Sequence, residues 1–246
     1  MITQFLKGFT SYGRALAFIS KHGLYGHFIT SGVISLIIGA VIVYTGYAIS
    51  DDIAGYLSSW YPFEWGSGVM EKITTTLSGL LIIVLGFWIF KYILLICISP
   101  FMGPLSSKVE VITKPNTAGS AFSLAQMSYE MIRGVRIASR NVVREILLTI
   151  LILLLGLIPL FSIPATILLV LVQAYYLGFA HFDYFLERRA SVPESVTYVR
   201  AHRWQAIGNG SGFLLLLLLP ILGLFLAPVL GTVSATLVAL DNEDYE

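Results

Sequence analysis

Charge is what this chain has least of. Asp, Glu, Lys and Arg make up 12% of its 246 residues, while hydrophobic residues make up 57%; a soluble domain carries about 25% charged residues. The formal net charge is +1, so no global field draws the chain to nucleic acid. Its one cysteine, Cys97, stands in an apolar run with no second cysteine to pair with, and reads as a small core residue. The four histidines, His22, His27, His181 and His202, fall at no metal-ligand spacing. A Gly-rich phosphate loop, a nucleophile elbow and a catalytic triad are all lacking. These absences argue against a metal site, a cofactor and a nucleic-acid partner, and nothing argues for an enzyme. Residues 1–21 do not show the charged-then-apolar order of a cleaved signal peptide. No hydrophilic linker interrupts the chain, so residues 1–246 read as a single membrane-embedded domain.

What is present is a series of long apolar runs. Residues 28–50 and 73–99 are each long enough to span a bilayer, and the second carries only Lys91 inside it. Residues 146–182 contain no Asp, Glu, Lys or Arg, and a helix of that length would reach about 55 Å against a hydrocarbon core of about 30 Å. Pro159 and Pro164 must fold this run back on itself, and Pro220 and Pro228 do the same for residues 206–240. The expected fold is thus an all-α integral membrane protein. It has two long transmembrane helices and two Pro-broken helical hairpins that either cross the bilayer or enter and return. Ahead of the first span, residues 1–27 form an amphipathic helix, with Phe5, Phe9, Tyr12, Leu16 and Ile19 on one face and Lys7, Arg14 and Lys21 off it. That helix lies on the membrane surface or packs on the domain.

Charge asymmetry sets an orientation. The loop between the spans holds Asp51, Asp52, Glu64 and Glu71 against Lys72, with Tyr56, Trp60, Tyr61 and Trp65 suited to an interface. The segments before the first span, after the second, and between the hairpins are basic. The positive-inside rule places those segments and the N-terminus in the cytoplasm.

Two patterns carry candidate function. Gly32, Gly39 and Gly46 recur every seven residues on the first span, and Gly79 and Gly86 do so on the second. Rows of this kind let helices approach closely, against each other or against a second subunit. Arg133, Arg136, Arg140 and Arg144 fall on one face of a basic helix over residues 120–145, with Leu124, Met127, Met131, Val135, Ala138 and Val142 opposite. A guanidinium row can hold an oxyanion through paired N–H donors, or grip lipid phosphates. Asp183, closing the first hairpin, needs a partner or water at a membrane helix end; an arginine of the basic helix or a coupling proton would supply it.

Ser99-Pro100-Phe101 followed by Leu105 and Val109-Glu110, then Arg136-Ile137, Phe182-Asp183-Tyr184, Arg200, Gly208, Pro220, Pro228 and Gly231 stand in a telling order. Together they resemble the family that joins bacterial CysZ sulfate permeases with the eukaryotic etoposide-induced membrane proteins, over residues 5–237. The resemblance implies an inner-membrane protein with two spanning helices and two hemi-penetrating hairpins, oligomerisation, and, in the permease branch, sulfate uptake for cysteine synthesis. It would put Arg136 and Arg140 on the anion path. Permease members carry an arginine pair just before the first span, where this chain reads Lys21-His22-Gly23-Leu24-Tyr25-Gly26-His27. A lysine and two histidines hold a weaker, pH-dependent charge there.

The sequence therefore leads to a homo-oligomeric transport protein of the bacterial inner membrane, passing a small oxyanion such as sulfate passively or coupled to an ion. Its substrate would meet Arg133, Arg136, Arg140 and Arg144. The alternative is a non-transporting membrane subunit or scaffold, whose arginine helix binds lipids and whose acidic tail, residues 241–246, binds a larger membrane assembly.

Overall fold

The computed structural model describes residues 1–59, 67–115, 124–219 and 221–243. Trp60, Tyr61, Glu64, Trp65, Pro220 and the last three residues of the acidic tail lie outside them, as do the side chains of Asp51, Glu71, Lys72, Leu124, Met127, Glu130 and Met131. The described secondary structure is entirely helical: α1 (Ile2–His22), α2 (Gly26–Ala48), α3 (Ser50–Ser59), α4 (Ser67–Thr113), α5 (Leu124–Gly156), α6 (Ser162–Leu186), α7 (Val192–Ala201), α8 (Arg203–Leu217) and α9 (Leu222–Glu243). Gly26–Ala48, Ile89–Thr113, Pro159–Leu186 and Leu222–Glu243 are long and apolar enough to cross a membrane. The chain is an all-α integral membrane protein. The described residues divide into two compact units, Met1–Val33 with Leu95–Glu246, and Ile34–Leu94.

The prolines act in several ways, because each position demands something different of the backbone. In the first hairpin α5 ends at Gly156 and a 3-10 turn, Pro159–Phe161, leads into α6. Pro164 then falls in the first turn of α6, where no intrahelical acceptor awaits its missing N–H. In the second hairpin the fold-back lies between Leu217 and Leu222. Pro228 is not at this tip, as its neighbourhood in sequence suggests, but inside α9. Its missing N–H would leave the Leu224 carbonyl without a helical donor, and the Ser31 hydroxyl on α2 donates to that oxygen at 3.2 Å. Pro100 is absorbed likewise. The sequence reading ends the second span at residue 99, yet α4 continues to Thr113, and the Ser99 hydroxyl donates at 2.8 Å to the Ile96 carbonyl that Pro100 cannot serve.

In the larger unit α8 is pressed between α1 and α6. A Cβ placed on Gly8 would run into the carbonyl oxygen of Gln205, and one on Gly208 into that of Phe5. On the other side of α8, a Cβ on Gly178 would strike the Ala206 carbonyl and one on Gly210 the Ala174 carbonyl. The helices meet backbone to backbone, where only hydrogen fits. This contact rotates α1 away from its expected apolar face. The buried side is Gly8, Ser11, Ala15 and Ile19, while Leu6 and Leu16 are exposed. Thus α1 packs on α8 and α9 through small residues and still presents an apolar stripe outward. Gly23 ends it in the left-handed conformation, φ 66°, which a glycine adopts without strain.

Among the described residues α9 is the most buried of the long apolar helices, with every residue from Ala227 to Leu240 buried. A polar chain threads the packing. Asn209 donates to the Gly231 carbonyl and to Ser234 Oγ, both at 3.0 Å, and Ser234 bonds Ser11 at 2.5 Å. His181 Nδ1 meets Asn209 Oδ1 at 2.7 Å. With Asn209 so oriented its Oδ1 accepts, so the His181 proton sits on Nδ1. By contrast the hairpin turns are bare: Leu157, Leu160 and Leu218 are 74–80% exposed, as suits apolar surface placed in lipid.

Within the smaller unit the two glycine rows come together. A Cβ on Gly46 would lie 2.8 Å from Ile82 Cγ2, one on Gly86 3.3 Å from Ile42 Cγ2, and one on Gly39 3.9 Å from Phe90 Cε2. These pairings run antiparallel along α2 and α4. Gly79 has nothing within 4 Å, and Gly32 belongs to the larger unit, where the Phe225 ring covers it.

These contacts separate glycines that cannot be replaced from those that can. Gly210→Ala should lower stability by about 2 kcal/mol or more, because backbone rather than a yielding side chain opposes the new methyl. Gly13→Ala, with open space around it, should be neutral or stabilising by up to about 1 kcal/mol. Thermal unfolding of the two purified variants checks the ordering.

Candidate anion-binding face

The nine arginines of the chain divide into two groups. Arg14 donates to Asp241 at 2.7 Å, and that hydrogen bond raises its guanidinium above the ordinary arginine value. Arg188 meets Glu110 at 3.1 Å, and Arg189 bridges Glu110 and Glu243. Lys114 reaches Glu243 at 3.4 Å and Lys7 reaches Asp241 at 3.8 Å. These pairs join α1, the C-terminal parts of α4 and α6, and the end of α9. Two carboxylates of the acidic tail, Asp241 and Glu243, are therefore engaged within the chain.

Arg133 also belongs to the paired group. It is 4% exposed, and four of its N–H contacts go to the protein: Nε to Asp183 Oδ2 at 3.3 Å, Nη2 to Asp183 Oδ1 and to Ser195 Oγ at 2.8 Å, and Nη1 to the Ala190 carbonyl at 2.8 Å. A bidentate pair with both ions hydrogen-bonded elsewhere is the geometry in which burial of charge is tolerated. The four-arginine row does not present a uniform face, because Arg133 turns inward. It binds α5 to α6 and to the loop that starts α7. That loop is itself set by a capping box, in which the Ser191 N–H and hydroxyl donate to Glu194 at 2.6 and 2.7 Å. These bonds hold the Glu194 carboxyl below its ordinary value.

Arg136, Arg140, Arg144, Arg200 and Arg203 make up the second group. Among the described residues no carboxylate lies within ion-pair range of any of them. Arg136 and Arg144 are exposed on α5, one turn either side of Arg140. Arg140 is half-buried, lies 5.6 Å over the Phe179 ring and donates to Asn141 Oδ1 at 2.8 Å. Burial, then the like charge of Arg144, then that of Arg200, lower its guanidinium from the usual arginine value despite the opposing Tyr175 and Tyr176 phenols. Phe179 shares a core cluster with Val199 on α7 and Ala206 on α8, which brings Arg200 and Arg203 to the border of the same surface. In the sequence Arg200 lies in the basic segment between the two hairpins, more than fifty residues from the α5 arginines. Only the close packing of α6 on α8 carries it to α5, and no spacing along the chain encodes that.

A second basic region is a cleft of about 520 Å³ lined by Arg14, Phe18, Lys21, His22, Ile112 and Leu237 among others. It includes the Lys21-His22 pair, but its arginine is already held by Asp241. Among the described residues no three His, Cys, Asp or Glu side chains come together as a metal site.

Comparison with known proteins agrees with the architecture. A family model described as Sulfate transporter CysZ/Etoposide-induced protein 2.4 matches residues 11–228. Proteins named Sulfate transporter CysZ from Pseudomonas paraeruginosa and Pseudomonas aeruginosa are 26% identical to this chain, covering 97% of it and 96% of their own length. One of the same name from Pseudomonas fluorescens is 26% identical over 71% of this chain and 69% of its own.

The Arg133–Asp183 pair makes a structural prediction independent of any ligand. Arg133→Gln strands a buried carboxylate and should cost about 3–5 kcal/mol, whereas the double replacement Arg133→Met with Asp183→Leu should recover most of it. Chemical or thermal unfolding of both variants reads the difference.

Proposed function

This chain belongs to the Sulfate transporter CysZ/Etoposide-induced protein 2.4 family, and on that premise we propose that it passes a small oxyanion, sulfate foremost, across the bacterial inner membrane. The supporting observation is the group of exposed and half-exposed guanidiniums on α5 that have no carboxylate partner among the described residues, whereas Arg14, Arg133, Arg188 and Arg189 are all ion-paired. Arg136, Arg140 and Arg144 would receive the anion, with Arg133 fixing the helix that carries them. A guanidinium offers a planar fork of N–H donors matched to two oxygens of a tetrahedral oxyanion, and needs no change of protonation to do so.

Movement is passive or coupled to an ion, since the sequence offers no nucleotide-binding motif. The basic face and the N-terminus belong on the cytoplasmic side, by the charge asymmetry of the loops. The exposed apolar hairpin turns belong in lipid, and the protein works as a homo-oligomer. Names borne by relatives at 26% identity support sulfate as the first anion to test.

Proteoliposomes holding the purified protein should take up radiolabelled sulfate above empty vesicles. Arg140→Gln should lower that flux by about tenfold or more, because a charge-assisted hydrogen bond contributes about 1.5–3 kcal/mol and 1.4 kcal/mol is about a factor of ten. Arg14→Gln, whose partner is Asp241 at the surface, should change it little. Wild-type flux no higher than that of empty vesicles would remove the transport reading.

A further inference from the structure

We propose that Arg200 on α7 and Arg203 on α8 close the oxyanion site that Arg140 and Arg144 begin on α5, so that the site is built from two distant chain segments and is fitted to a dianion. The inference rests on the transport reading and names further residues for that same site.

The argument starts from placement. α7 and α8 meet at His202, whose backbone, φ −100° and ψ 27°, breaks the helix between the two arginines. The His202 ring is turned to its own helix, with Nδ1 3.1 Å from the Tyr198 carbonyl oxygen and the ring 4.4 Å from that of Tyr198. Arg200 and Arg203 remain exposed on either side. Behind them, Val199 and Ala206 pack into the cluster that contains Phe179, and Arg140 lies over that same Phe179 ring. One aromatic side chain thus joins the α5 arginines to those of the α7–α8 junction.

The electrostatics give the same grouping. The Tyr175 phenol, half-buried and 6.4 Å from Phe179 between ring centroids, lies in the combined field of Arg140, Arg200, Arg144 and Arg203. Tyr176 stacks edge-on against it at 5.1 Å. Four like charges with no ion-paired carboxylate among the described residues repel one another; the buried Glu145 reaches the same surface through its field at Tyr176, while Glu110, Asp183, Asp241 and Glu243 pair with other cations. An incoming anion removes that repulsion, and a dianion removes more of it than chloride can. A site of this kind concentrates anions from solution before any of them moves.

The test is equilibrium binding of radiolabelled sulfate to the purified full-length protein in neutral-detergent micelles, with and without added phosphatidylglycerol, followed by displacement with chloride. Wild type should bind sulfate in preference to chloride. Arg200→Gln with Arg203→Gln should weaken sulfate binding at least tenfold while eluting as wild type on gel filtration, and Arg14→Gln should not weaken it. If the double Gln variant does not fold, Arg200→Lys with Arg203→Lys is read in its place. A threefold or greater loss there supports paired guanidinium contacts, and unchanged affinity overturns them. Wild-type binding matched by the double Gln variant overturns the inference and leaves the transport reading standing. No sulfate binding, together with phosphatidylglycerol retention that depends on Arg200 and Arg203, would mean that the oxyanion is a lipid headgroup; the inference would then fall with the reading beneath it.

Discussion

Because Gly208 and Gly210 leave opposite sides of α8 without a side chain, the backbones of α1 and α6 come into direct contact with it, aided by Gly8 and Gly178 on the facing helices. Inside a membrane, lipid is as apolar as leucine, so helices gain little by burying apolar surface against one another. Close van der Waals contact and interhelical hydrogen bonds must hold them instead. The tight crossings supply the first. They also bring Asn209, which lies between the two glycines, within reach of His181, Ser234 and the Gly231 carbonyl. The same crossing that seats α8 on α6 packs the residues flanking the α7–α8 junction, Val199 and Ala206, into the cluster of Phe179, over whose ring Arg140 lies. The geometry of the basic face is thus a consequence of two helices touching without side chains between them.

Charge is arranged around this core by a simple division. Carboxylates are few, and those described near the polar ends of the larger unit are engaged: Asp183 by Arg133, Glu110 by Arg188 and Arg189, Asp241 by Arg14, Glu243 by Arg189 and Lys114. Such pairs tie together helices that are far apart in sequence. Exposed ones contribute little each, about 0–1 kcal/mol, while the buried Arg133–Asp183 pair is costly to break from one side. The cations left without a carboxylate partner among the described residues include Arg136, Arg140, Arg144, Arg200 and Arg203. A positive surface raises the local concentration of anions.

The fold class was legible because its signals are local. Charge-free runs too long for one crossing, each broken by proline, can only fold back, and the family resemblance followed from the order of such landmarks. The details of the turns were less legible. Pro228 reads as a helix breaker at the hairpin tip, but the Ser31 hydroxyl satisfies the carbonyl it abandons, as the Ser99 hydroxyl does beside Pro100, and a distant Ser31 cannot be guessed from its neighbours. The seven-residue glycine rows drew attention to α2 and α4, where the contacts are with yielding side chains such as Ile82 and Ile42. The run Gly208-Asn209-Gly210-Ser211-Gly212 held the stronger signal, small residues on two faces of one helix, and it went unread. The arginines show the same limit. Helical spacing puts Arg133, Arg136, Arg140 and Arg144 on one side, but spacing does not tell which of them meets Asp183, nor that the charge of Arg200 reaches Arg140.

The most direct measurement is a structure of the full chain determined with selenate, whose anomalous scattering marks a tetrahedral dianion of sulfate's shape. A selenate peak is expected at the face formed by Arg140, Arg144, Arg200 and Arg203, with α8 in backbone contact with α1 and α6. A peak only in the cleft of Lys21 and His22, or α8 separated from its neighbours by side chains, would contradict it.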